Sequence, residues 1–118
     1  GLTDPLEVGK LLLDLDNFTG FFQTHCALRL LPLTFVRATE LRRAEWKEID
    51  FEDKLWRIPA ERMKMRSPHY VPLSEQALAI FRSLYGVTGE GKYIFPGTRG
   101  NGNVISPSTM LNALRFMG

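Results

Sequence analysis

The sequence contains a single cysteine, Cys26, among its 118 residues. One thiol cannot form an intrachain disulfide, and cysteine-based metal sites need several ligands, so neither kind of site is expected. An intracellular, reducing compartment is the simpler interpretation. The apolar neighbours Ala27, Leu28 and Leu30 predict that the thiol is buried and structural.

Long apolar runs are also missing. No run approaches the ~20 residues that span a bilayer, and no charged, apolar and small-residue series of a signal peptide opens the chain. We therefore expect a cytoplasmic protein with no membrane partner. A strong charge of either sign is missing too, because 15 basic and 13 acidic residues leave a formal charge of +2. Net charge alone therefore indicates no partner.

The first third of the chain predicts two helices. Asp4–Glu7 combines a capping aspartate, a proline at the first helical position and a carboxylate three residues after the cap, which indicates a helix running to about Asp16. Asn17–Gly20 is typical of a turn. Phe21–Leu33 is apolar enough to form a central buried helix, with Pro32 near its end.

The middle of the chain predicts a short helix and then a sheet. Thr39–Trp46 indicates a helix capped by Thr39. Apolar and polar residues then alternate in Trp46–Phe51 and in Lys54–Pro59, as in an antiparallel hairpin, and His69–Leu73 supplies a third strand.

The last third predicts two further helices separated by a loop. Ser74 caps a helix that is expected to run to about Tyr85 and to end at Gly86. The segment 88–103 is a loop with one apolar piece, 93–95. Ser106 and Pro107 begin a last helix that still continues near Met117. The predicted class is α+β, mainly helical, with a small three-stranded antiparallel sheet.

Three segments resemble one known family. Thr34–Leu41 resembles the first active-site box of the tyrosine recombinases, or phage-type integrases, in which an arginine precedes an acidic residue and a leucine. Trp46–Phe51 is similar to the family's first strand, and Met63–Ser74 to its hairpin lysine and the strand that follows. All three occur in the family's order, so the resemblance covers essentially the whole chain, 1–118, as the amino-terminal part of the catalytic domain.

The resemblance implies roles for three residues. Arg37 is expected to bind the phosphate oxygens on which negative charge grows, because an arginine fork offers two charge-assisted hydrogen bonds. Lys64 is expected to protonate the departing 5′ oxygen as a general acid. Glu40 is expected to be a supporting carboxylate that helps to fix the arginine. Without the resemblance, Arg37 would be an ordinary solvated arginine, and Lys64 part of a charged hairpin edge.

Cations alternate with apolar residues along Arg62–Arg66. If they share one face, Arg62 and Arg66 would contact the DNA backbone without reading its sequence. Arg42 and Arg43 are interpreted as solvated surface groups.

The other candidate residues have simpler interpretations. His25 and His69 are predicted to be structural, since neither has a second metal ligand at helical spacing or the family's later histidine box. Trp46 and Trp56 are predicted to pack in the core and sheet. The tyrosines, Tyr70, Tyr85 and Tyr93, stand in neighbourhoods unlike that of the family's nucleophile.

The chain departs from the family after its last helix. The histidine box with a second arginine and the nucleophilic tyrosine are missing, so the chain is expected to be a fragment that is inactive alone. Its parent is expected to recombine double-stranded DNA at attachment sites, with other copies, near the nucleoid of a bacterial or phage-infected cell and without metal or cofactor. The alternative is a non-catalytic module that binds DNA or a protein.

Overall fold

The computed structural model describes residues 5–97 and 104–110, with side chains from residue 20 onward. In chain order its helices and strands are α1 (Pro5–Thr34), α2 (Ala38–Arg42), β1 (Ile49–Asp50), β2 (Leu55–Ile58), β3 (His69–Pro72) and α3 (Glu75–Thr88). Short 3₁₀ turns span Trp46–Glu48 and Ala60–Arg62. The predicted α+β class with a three-stranded antiparallel sheet is confirmed. Within the described residues, no helix is both long and apolar enough to cross a membrane.

The sheet has the order β1-β2-β3, with both neighbouring pairs antiparallel. Trp56 at its centre lies opposite Ile49 on one side and Val71 on the other. Along β2, Trp56 and Ile58 are buried and Arg57 between them is exposed, which is the period of two expected for a strand with one covered face.

The covered face of the sheet packs against α3. Ser74 caps this helix, as predicted, by accepting a hydrogen bond from the backbone N–H of Ala77 at 3.1 Å. Phe81 and Leu84 are fully buried on the inner face of α3, and the ring of Phe81 meets that of Trp56 edge-on at 6.2 Å. α1 packs on the same helix. The core therefore lies between two helices and the sheet.

The predicted turn at Asn17–Gly20 is wrong, because α1 continues without a break from Pro5 to Thr34. A glycine within a helix costs only about 1 kcal/mol relative to alanine, and no proline near residue 20 removes a backbone donor. Pro32 lies within the last turn of α1, near its end, as predicted. The expected cap Asp4 lies outside the described residues.

The short helix also differs from its prediction. α2 begins at Ala38 with Arg37 as its N-cap, so Thr39 is not the cap, and it ends at Arg42 rather than at Trp46. The chain then pairs with a later segment: the backbone N–H of Trp46 donates to the carbonyl of Lys92 at 3.0 Å. This long-range pairing competes with the continuation of the helix.

The first strand is shorter than predicted, since Trp46–Glu48 forms a 3₁₀ turn and only Ile49–Asp50 pairs with β2. The indole N–H of Trp46 donates to the carbonyl of Thr88 at 3.0 Å. That bond satisfies a carbonyl at the end of α3, which explains why the helix passes the predicted stop at Gly86 and reaches Thr88.

The segment after α3 is held by its apolar piece. Ile94 and Phe95 are fully buried, and Pro96 bridges to Val104. Ser106 accepts a hydrogen bond from the N–H of Thr109 at 3.1 Å, and residues 107–110 are helical, as predicted. The expected continuation of that helix to Met117 lies outside the described residues.

Candidate active site

Arg37 stands at the junction of two helices. It is the N-cap of α2, with an extended backbone (φ −75°, ψ 152°), and its side chain is exposed. Its backbone N–H donates to Oε1 of Glu40 at 3.0 Å. The Glu40 carboxylate therefore stabilises the start of α2 and fixes the backbone of Arg37, while the guanidinium projects from a defined point.

The chain reaches Arg37 through a sharp reversal after α1. Phe35 has a positive φ of 56°, and its N–H donates to the carbonyl of Leu31 at 2.9 Å. A side chain in this left-handed conformation costs roughly 1–2 kcal/mol, so glycine is the residue usually found there. Phe35 is nevertheless 90% exposed. The reversal separates α1 from α2 and brings Arg37 to the surface.

Lys64 lies in a tight turn between β2 and β3. The N–H of Arg66 donates to the carbonyl of Met63 at 3.0 Å and closes the turn around Lys64. The side chains of Lys64, Met65 and Arg66 are all exposed. In the part of the chain that the structure describes, neither Lys64 nor Arg66 forms an ion pair. A flexible ammonium at this position has its donors available.

Arg62 does not share that exposed face, contrary to the expected alternation of three cations. Its side chain is 15% exposed, and its Nε and one terminal nitrogen donate to the two carboxylate oxygens of Glu48 at 2.8 and 2.7 Å. Its other terminal nitrogen donates to the carbonyl of Glu40 at 3.2 Å. Three of its five N–H donors are therefore engaged within the protein, as in a structural arginine.

Glu48 is the centre of this cluster, although the sequence alone does not identify it as a site residue. Its side chain is 2% exposed, and its Oε1 also accepts from the indole of Trp56 at 3.0 Å. In a strand pattern Glu48 is a solvent-facing polar residue, whereas in the 3₁₀ turn it points inward. No local signal identifies its partner, because Arg62 is fourteen residues away.

The interpretation of Arg42 as a solvated surface group is wrong. Arg42 is buried, and its guanidinium donates to the carbonyl of Ile105 at 2.7 Å. Burial lowers the pKa of the Arg42 guanidinium, and the charge of Arg43 lowers it further. Arg43 itself is exposed, as expected.

The remaining candidates lie apart from the Arg62 contacts. Cys26 is buried, as predicted, and burial raises the pKa of its thiol, which keeps it protonated and unreactive. His69 is exposed in β3, and His25 is half-buried beside Phe21. Tyr70 and Tyr85 are about half exposed. Among the described residues, no group of three histidine, cysteine or carboxylate side chains is placed to hold a metal ion.

Comparison with known proteins gives a consistent set of relatives. The profile of the phage integrase family matches residues 3–117. The chain is 40% identical to an integrase of enterobacteria phage P4, over an alignment that covers 92% of this chain and 28% of that protein. It is 39% identical to the prophage integrase IntA of Escherichia coli K12, covering 97% of this chain and 28% of IntA.

A third relative, the prophage integrase IntZ of Escherichia coli K12, is 41% identical over 84% of this chain and 24% of its own length. The chain thus spans less than a third of the length of these curated relatives. No solved structure matches it with significance.

Proposed function

The chain belongs to the phage integrase family, and from this premise we propose that it carries part of the active site of a site-specific DNA recombinase. The observation that supports the proposal most directly is a pair of exposed cations, Arg37 and Lys64. They lie on two segments that Arg62 joins through its bond to the carbonyl of Glu40. The chain corresponds to part of a longer integrase, as the sequence predicts.

In the proposed reaction of the whole protein, the oxygen of a tyrosine that is not among the residues of this sequence attacks the phosphorus of a DNA phosphodiester. The bond between phosphorus and the 5′ oxygen breaks, and a 3′-phosphotyrosyl link forms. The tyrosine hydroxyl loses its proton as its oxygen bonds to phosphorus, and the 5′ oxygen takes up a proton as it leaves. A second strand's 5′ hydroxyl then reverses the step and rejoins the DNA. We expect this chain alone to cleave no DNA.

Arg37 has the chemistry to stabilise the charge that grows on the non-bridging oxygens. Its planar fork offers two parallel donors, which a lysine ammonium cannot reproduce. The carboxylate of Glu40 fixes the backbone from which the guanidinium projects, at 3.0 Å from the N–H of Arg37. Donors held in place before the reaction stabilise a transition state more than donors that must first reorganise.

Lys64 has the chemistry of the general acid. Its ammonium is exposed on a turn whose ends are joined by the hydrogen bond from the N–H of Arg66 to the carbonyl of Met63. The backbone of Lys64 is therefore fixed while its side chain can move. Such a group can give its proton to the 5′ oxygen as the bond to phosphorus breaks.

The proposed partner is double-stranded DNA, contacted as phosphate backbone by Arg66, which is exposed beside Lys64. Arg62 is left out of this DNA-binding set, because its side chain is only 15% exposed and three of its N–H groups donate to Glu48 and to the carbonyl of Glu40. We further propose that the whole integrase acts with other copies on the DNA of a bacterial or phage-infected cell.

A sulfur-substituted substrate tests the two roles in the full-length integrase that contains this chain. Replacing the bridging 5′ oxygen by sulfur gives a leaving group that needs no proton. Arg37→Lys and Lys64→Ala should each slow cleavage of the normal substrate by about a hundredfold or more. Sulfur should restore most of the rate to Lys64→Ala and little to Arg37→Lys. Single-turnover cleavage on both substrates measures the difference.

Two exposed neighbours provide matched controls. Arg43→Lys and Lys47→Ala make the same two substitutions at exposed cations in the same part of the chain and should leave cleavage unchanged. Equal behaviour of the Arg37 and Lys64 variants on the sulfur substrate would contradict the general-acid role. If both variants lost only salt-sensitive DNA affinity and kept the cleavage step, the alternative of a non-catalytic DNA-binding module would be favoured for this part of the chain.

A further inference from the structure

A partly buried arginine connects the two segments that carry the proposed catalytic cations. Arg62 ends the 3₁₀ turn Ala60–Arg62 and stands two residues before Lys64. Its guanidinium reaches the carbonyl of Glu40, three residues after Arg37 in the neighbouring helix. Arg62 therefore belongs to the connection that leads to Lys64, and its side chain contacts the helix that Arg37 caps.

Glu48 holds this arginine from the other side. It accepts two hydrogen bonds from the guanidinium, at 2.7 and 2.8 Å, in the two-pronged geometry that allows little rotation. The indole N–H of Trp56, a fully buried residue of β2, fixes the same carboxylate at 3.0 Å. The Arg62 guanidinium is thus anchored to the core of the sheet before it meets the carbonyl of Glu40.

We infer that Arg62 is a positioning residue of the proposed active site, which fixes the Lys64 turn relative to the helix capped by Arg37 and is itself oriented by Glu48. The inference rests on the proposed function for its consequence in catalysis. Arg62 is not assigned a contact with substrate, since every nitrogen of its guanidinium donates to Glu48 or to Glu40.

The reason that such a link matters is geometric. A general acid and an oxyanion-binding group act on the same phosphodiester, one at the leaving oxygen and the other at the non-bridging oxygens. A displacement of about 1 Å in either group can reduce a rate by about a hundredfold. α2 is only five residues long, and the turn around Lys64 lies outside the strands, so neither segment fixes the other by backbone pairing.

Arg62→Lys in the full-length integrase tests the inference, because lysine keeps the charge and loses the fork. Cleavage of the normal substrate should fall by about tenfold to a hundredfold, with DNA affinity within about twofold of the wild type. Sulfur at the 5′ position should restore part of the rate. The part of the cleavage rate that sulfur restores reflects displacement of Lys64. The part that stays lost reflects displacement of Arg37.

A fold defect is distinguished from this pattern by a second variant and a control. Glu48→Gln keeps the size of the side chain and an acceptor for Trp56 but removes the charge, and it should give the same partial restoration. Arg57→Lys alters an arginine of the same sheet that contacts Asp50 and Asp53 in solvent, and it should cleave both substrates at the wild-type rate.

Three results would overturn the inference. They are wild-type cleavage by Arg62→Lys, an equal loss on both substrates in both variants, and a loss confined to DNA affinity. Failure of the proposed function gives a different signature, since Lys64→Ala would then gain nothing from the sulfur substrate. Hydrogen exchange provides a readout independent of cleavage: amides of α2 and of residues 63–66 should exchange faster in Arg62→Lys than in Arg57→Lys. Equal protection in the two variants would count against the positioning role.

Discussion

Two arginines of the same sheet and its connections, Arg57 and Arg62, hold carboxylates in different surroundings. Arg57 donates to Asp50 at 2.6 Å and to Asp53 at 3.2 Å, with 45% of its side chain exposed. Arg62 holds both oxygens of Glu48, whose side chain is 2% exposed. The number of short contacts is similar, so distance alone does not separate the two sites.

Solvent decides the difference between them. Water and salt screen the exposed network, and two flexible side chains must be ordered to form it, so its net contribution to stability is small. At the Arg62 site, which is largely buried, the charges attract each other more strongly. Removal of one partner leaves the other charge with neither its partner nor full hydration. Removal of one partner should therefore lower the stability of the protein much more at the Arg62 site than at the Arg57 site.

The largest expected effect is that of Glu48→Ala. The substitution leaves the Arg62 guanidinium without its carboxylate and the indole of Trp56 without an acceptor. Breaking a fully buried pair costs about 3–5 kcal/mol, so for this largely buried pair the free energy of unfolding should fall by up to about that amount. Urea denaturation followed by tryptophan fluorescence measures it.

Asp53→Ala is the matched control from the exposed network. Its free energy of unfolding should decrease by only a small fraction of the decrease in Glu48→Ala. Similar losses at the two sites would break the comparison, since they would show that burial does not determine the contribution of these pairs.

Arg42 extends the comparison to an arginine that is buried with a carbonyl partner. Arg42→Leu removes the donor to the carbonyl of Ile105 and should destabilise the protein by about 1–3 kcal/mol. Arg43→Leu changes the exposed neighbour and should stay within about 0.5 kcal/mol of the wild type. A loss at Arg43 as large as that at Arg42 would contradict the structural role assigned to the buried side chain. Thermal and urea unfolding of both variants provide the measurement.

The comparison also shows which parts of the fold the sequence predicts. Local signals are sufficient where one residue type performs one local task, as Ser74 does at the start of α3 and as Trp56 and Ile58 do along β2. They fail at residues 17–20, where turn-forming residues lie inside a continuous helix. The turn propensity of these residues is only a weak preference, because including them in the surrounding helix costs little free energy.

The candidate site divides in the same way. Arg37 and Lys64 can be proposed from the sequence because their neighbours form family-like motifs. The buried status of Arg42 and the pairing of Arg62 with Glu48 cannot, since the partners are far apart in the chain and come together only when it folds. A charged residue in a short polar pattern is usually solvated, and only the three-dimensional packing identifies the exceptions.

The smallest expected effect concerns acid at the exposed site. Hydrogen bonding to Arg57, and then the backbone N–H of Asp53, hold the pKa of the Asp50 carboxyl below its ordinary value. Since the folded pKa lies below the unfolded one, the carboxylate's contribution to stability is present above about pH 4 and is lost as the pH falls through the folded pKa. Asp50→Asn keeps an acceptor for the N–H of Asp53 but cannot ionise. The free energies of unfolding of the wild type and the variant should therefore converge as the pH falls below about 4, and the difference at pH 7 should shrink in high salt. Urea denaturation at a series of pH values checks this, and a difference that stays constant from pH 7 to pH 2 would show that the charge of Asp50 contributes nothing to folding.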